Sequence, residues 1–172
     1  MVPAVTSERR TTVVWISVAL VVFAAALAWK RFRSEPRATL ADWQRSVSEL
    51  SAEQRRTYDA IREGITAVET VRAATKQWPQ QHLTPDATWS RSQQRLAINY
   101  VGEANGLRWL VLFLEPDPRT TEAPPPDDDE HHTLSDGTAL HVTIWTQPLE
   151  TPRPEVVTAF PAAEGWVERV RR

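Results

Sequence analysis

The 172 residues carry 20 basic and 22 acidic side chains and no cysteine, which excludes disulfides, thiolate metal sites, cysteine nucleophiles and iron–sulfur clusters. Six basic and two acidic residues fall within the first 37, so the remainder holds 14 and 20, a net of −6. An acidic body on a basic leader does not suit nucleic acid as a partner.

Residues 1–11 read as a short basic tail ending in Arg9 and Arg10. Thr12 to Trp29, TVVWISVALVVFAAALAW, contains no charge and as a helix would span about 27 Å, close to the hydrocarbon thickness of a bilayer. Trp15 and Trp29 stand near its ends, and Lys30, Arg31 and Arg33 follow it, where rings and long basic side chains favour the headgroup level. The reading is a single transmembrane helix and a lipid bilayer as the first partner. A cleaved leader competes, since Ala26-Leu27-Ala28 has the form of a cleavage site, but the following Trp29-Lys30-Arg31 opposes export. Basic residues flank both ends, so topology stays open. Residues 30–38 form a basic juxtamembrane linker that can meet anionic lipid.

Residues 39–78 read as a helical segment of one or two amphipathic helices. Leu40, Trp43, Val47 and Leu50 recur at helical spacing after Thr39 and Asp42, and Ser51 with Gln54 has the form of a capping box. Tyr58, Ile61, Ile65, Val68 and Val71 make the clearer apolar stripe, ended by Pro79. Gln80 to Thr88 reads as a connection.

Residues 87–172 read as an antiparallel β region. Leu96 to Val101 alternates, Asn105-Gly106 supplies a hairpin turn, and Leu107 to Leu114 suits a central strand buried on both faces. Residues 115–130, rich in proline and acid, read as an exposed flexible loop. Leu140 to Trp145 alternates again, Val156 to Phe160 is a weaker strand and Trp166 to Val170 a better one. The predicted fold class is α+β: a transmembrane helix, then one or two amphipathic helices on an antiparallel sheet of about four or five strands.

One cluster carries possible chemistry. Asp127, Asp128, Asp129, Glu130, His131 and His132 offer oxygen and nitrogen ligands in one stretch, with His141 able to approach. Such a set suits a divalent transition metal of the zinc, nickel or copper type; no other cofactor is indicated. The six tryptophans outside the apolar run fall in predicted helices or strands, where core packing outweighs a ligand cage. Gly-rich phosphate loops, a G-x-S-x-G elbow and H-E-x-x-H do not occur, and no catalytic residue is indicated.

The order of membrane helix, amphipathic helix and antiparallel sheet resembles that of type IV pilins and pseudopilins, in architecture alone. Those chains carry a glycine before the apolar run and a glutamate within its start; Thr11-Thr12 stand here, with no acid between Thr12 and Trp29. The layout also looks like the bitopic accessory subunits of bacterial envelope machines. The expected function is a non-catalytic, membrane-anchored accessory or scaffold module that binds another envelope or membrane protein. The alternative is a metal-handling protein using residues 127–132, beside a metal transporter.

Overall fold

The computed structural model describes residues 39–120, 123–153 and 159–171. The predicted tail, transmembrane helix and linker lie outside them, as does most of the predicted strand Val156–Phe160. Among the described residues no helix is long and apolar enough to cross a membrane.

Among the described residues the domain is α+β, one α-helix packed on a mixed seven-stranded sheet. The strands are β1 (Gln44–Ser46), β2 (Trp89–Gln94), β3 (Ala97–Ala104), β4 (Leu107–Leu114), β5 (His131–Thr133), β6 (Ala139–Pro148) and β7 (Val167–Val170); the helix α1 spans Ala52–Thr75. The sheet order is β1-β7-β6-β4-β3-β2, with β5 pairing β6 off this path. The β1–β7 pair is parallel, and the others are antiparallel.

This corrects the predicted sheet of four or five antiparallel strands. The short segments β1, β2 and β5 carry no clean apolar alternation, so periodicity does not reveal them. The helix expected over Leu40–Leu50 also gives way. Gln44–Ser46 extends along β7, with Gln44 Nε2 donating to Glu168 Oε2 at 2.8 Å. Val47–Glu49 then makes a single 3-10 turn capped by Ser46 and Glu49. A periodic apolar pattern this short does not outweigh the cost of helix nucleation when a strand edge is available.

The capping box at Ser51 and Gln54 is present, with Gln54 N donating to Ser51 Oγ at 3.2 Å and Ser51 N donating to Gln54 Oε1 at 3.0 Å. Tyr58, Ile61, Ile65 and Val68 are buried in one cluster with Ile98, Tyr100, Trp109, Val111, Phe113, Val142 and Ile144. Each such side chain withdrawn from water contributes about 1.5–3 kcal/mol, so this layer outweighs any surface contact. Gly64 admits a close approach: a Cβ there would lie 2.1 Å from the carbonyl oxygen of Leu83. The connection after α1 therefore rests its backbone on the helix. Lys76 ends α1 in the left-handed region, at φ 60°.

Strand β4 lies inside the sheet, and its positions 108–113 are all buried, as its unbroken apolar run predicts. Asn105 and Gly106, at φ 49° and 76°, make the two-residue turn to β4. Asn105 Nδ2 donates to Thr57 Oγ1 at 2.6 Å, fastening the turn to α1. The sheet's second face buries Ala97, Val101, Leu110, Leu112, Trp145 and Trp166. The β6–β7 connection contacts this face: Arg108 Nη1 donates to the Thr151 carbonyl at 2.9 Å, and Arg153 Nη2 donates to Ser90 Oγ at 2.6 Å. Five of the six tryptophans are buried; Trp43 is 50% exposed.

Candidate functional site: the imidazole–carboxylate end of the sheet

The segment 127–133 leads into β5, which pairs with the start of β6 and faces α1 through several side chains. His131 stands directly across from His141 in this pairing. Their rings stack with centroids 4.9 Å apart and planes 21° apart. His131 Nδ1 lies 3.0 Å from Asp128 Oδ1, and His141 Nε2 lies 3.7 Å from Glu130 Oε2. Alternation along β5 sends His132 the other way, onto α1, where its Nδ1 meets Glu69 Oε1 at 2.5 Å.

Of the six residues read as a common ligand set, Asp128 and His131 pair with each other and the other four have separate partners. Asp127 Oδ1 accepts from Thr133 Oγ1 at 2.6 Å. Asp128 Oδ1 accepts from the backbone N–H groups of Glu130 and His131, each at 2.7 Å. Arg62 donates to both the carbonyl and the carboxylate of Asp129, at 2.7 and 2.9 Å. Among the described residues no group of three or more histidines and acids is arranged to hold a metal ion. His131, His141, Asp128 and Glu130 lie together at this end of the sheet, with the two imidazoles stacked on each other. The acidic end of the 115–130 loop is accordingly fastened to α1 and β5.

The charge states follow from these contacts. The hydrogen bond to Glu69 raises the pKa of His132 against the opposing effect of burial. The Asp128 carboxyl is held down at about 2, first by the Glu130 amide and then by the His131 ring. Lys76 and the Thr138 amide lower Asp136 in the neighbouring turn. The site sets three imidazoles against carboxylates, His131 on Asp128, His132 on Glu69 and His141 near Glu130.

A cavity of about 500 Å³ opens beside the imidazole stack, lined by Leu114, Pro116, Pro124, Pro125, Leu140 and the two stacked histidines, among others. Its surface is mainly apolar, with imidazole at one end. Among the described residues no hydroxyl is hydrogen-bonded to a histidine ring; the imidazoles meet carboxylates or, at His82, the Trp89 backbone N–H. Among the described residues the arrangement presents no nucleophile–base pair.

Sequence reasoning did not find Glu69 and Arg62 as the opposite half of this site. They are seven residues apart on α1, so they share one side of the helix, and that spacing was a usable signal. No family model matches the chain, and no curated protein or solved structure is significantly similar to it.

Proposed function

We propose that this chain is a non-catalytic, membrane-anchored accessory or scaffold module that binds another protein of the envelope or membrane. The observation that carries the reading is the use of residues 127–132. Their side chains take contacts within the domain, to Thr133, Arg62, His141 and Glu69, and brace the sheet against α1. The anchor is read from the uncharged run Thr12–Trp29 and its basic flanks. Purification of the tagged full chain from detergent-solubilised membranes, after cross-linking in the cell, tests it. A stoichiometric protein neighbour is expected; a chain that elutes without any cross-linked neighbour would count against the proposal.

A second reading is favoured by the grouping of His131, His141, Asp128 and Glu130. Rotation of the two rings would offer two imidazole nitrogens and two carboxylates to a divalent transition metal. Calorimetric titration of the full chain with zinc tests this. Micromolar binding weakened by His131→Ala and His141→Ala would support it, and the absence of binding heat would oppose it.

A further inference from the structure

The two edges of the sheet differ. Strand β1 is three residues long and runs at once into a 3-10 turn, a short edge of the kind that resists further pairing. Strand β2 is six residues long, WSRSQQ, and its register with β3 is continuous from Trp89↔Gly102 to Gln94↔Ala97. It contains no proline or bulge, and its one charged side chain, Arg91, turns back onto the Trp78 carbonyl instead of standing across the edge. Positions 92–94 are exposed.

The direction of its free groups can be read from its two ends. Gln94 and Ala97 close the two-residue turn Arg95-Leu96, so Gln94, Ser92 and Ser90 turn their backbone groups toward β3. Trp89, Arg91 and Gln93 turn theirs outward. The Trp89 N–H confirms the phase, since it donates outward to His82 Nδ1 at 3.3 Å. Among the described residues the backbone N–H and C=O groups of Arg91 and Gln93 have no partner beyond the sheet edge.

We infer that β2 pairs antiparallel with β2 of a second copy of this chain, with Ser92 opposite its own symmetry mate. In that register Arg91 faces Gln93 of the other copy. The four outward N–H and C=O groups of each copy, eight in the twofold pair, make four hydrogen bonds. The self-pairing opposes no like charges, because Arg91 meets a neutral glutamine, and its guanidinium is drawn back onto the Trp78 carbonyl of its own domain at 3.1 Å. Shifting the register to set residue 91 against residue 91 would instead oppose two arginines. His82 occupies the edge at Trp89, so the shared ladder ends at Arg91 and Gln93. This pairing goes beyond the function proposed above and does not depend on it.

The chain has no native cysteine, so single cysteines report the register. Ser92→Cys places two thiols on directly opposed positions within disulfide reach, whereas Ser90→Cys places them about 13 Å out of register. The experiment uses the full chain in mild detergent at low salt, with limited oxidation and non-reducing electrophoresis. S92C is expected to form disulfide dimers at least about ten-fold faster than S90C, and mixed S90C and Q94C chains are expected to form heterodimers. In the S92C chain, Gln93→Glu, which opposes Arg91 of the other copy, is expected to speed dimer formation, and Gln93→Lys to slow it. S92C that oxidises no faster than S90C, or Q93K that pairs as well as Q93E, would overturn the proposal.

Discussion

Glu69 Oε1 and His132 Nδ1 lie 2.5 Å apart although 63 residues separate them in the chain. Their side chains are only 13% and 20% exposed, so the contact is shielded from bulk water. It joins the C-terminal half of α1 to the short strand β5, which also pairs with three residues of β6.

The pH dependence of this contact has a definite sign. The folded-state pKa of His132 is raised, first by the hydrogen bond to Glu69. Its stabilisation is therefore complete below the unfolded value of about 6.5 and is lost as pH rises through the raised folded value. The Tm difference between the natural chain and His132→Gln should be larger at pH 6 than at pH 9. At pH 6 the substitution should cost about 1.5–3 kcal/mol, as for hydrogen bonds to charged groups. A difference independent of pH, measured by thermal melts across that range, would show that the ion pair does not form.

Gly64 sets two effects against each other. Alanine is favoured over glycine within a helix by about 1 kcal/mol. A Cβ at this position, however, would sit 2.1 Å from a backbone oxygen, that of Leu83, and backbone cannot move aside as a long side chain can. Gly64→Ala should therefore destabilise by about 2 kcal/mol or more, while Glu63→Ala on the exposed side should stay within about 0.5 kcal/mol. Urea unfolding compares the two, and a G64A chain as stable as the natural one would contradict the close approach of the Leu83 backbone to α1.

The tyrosines give a spectroscopic check on the core. The chain has two tyrosines, and burial raises the pKa of both, Tyr100 to about 12. Tyr100 also donates its hydroxyl proton to the Pro79 carbonyl at 2.6 Å. Absorbance titration should thus show no phenol ionising with the ordinary midpoint near 10 while the domain stays folded. Tyrosinate appearing at that midpoint before the far-ultraviolet circular dichroism changes would place at least one ring outside the core.

The parts of the fold legible in the sequence are those set by long apolar patterns and by local caps. The α1 stripe, its Ser51 cap, the Asn105-Gly106 turn and the buried run of β4 each follow from residues close together in the chain. Strands β1, β2 and β5 owe their conformation to a neighbour: Gln44 to Glu168, Arg91 to Tyr100, His131 to His141. No local pattern encodes such a partner. The candidate site divides in the same way. The acids and histidines of 127–132 stand out by composition, but alternation along β5 sends His131 and His132 to opposite faces, and composition does not reveal that separation.

Glu115 carries the last prediction. Its Oε1 accepts from Arg72 Nη2 at 2.8 Å, Arg72 Nε at 3.2 Å and Trp78 Nε1 at 3.0 Å. Arg72 also lies 5.7 Å from the Trp78 ring centroid, and Trp78 packs on Phe113 with centroids 4.8 Å apart. The carboxylate thus ties the end of α1 to the exit of β4, where the side chains of the pair are 14% and 19% exposed. Glu115→Ala strands a shielded guanidinium and an indole N–H, and should cost about 3 kcal/mol. The intact pair is worth less than that loss, because both charges leave water and Arg72 Nη1 remains buried without a partner. The double replacement Arg72→Met with Glu115→Met should therefore cost less than Glu115→Ala alone, by about 1 kcal/mol or more. Denaturant unfolding of the set measures this, and a double variant less stable than the single one would show that the ion pair itself, beyond the need to match its charges, holds this corner together.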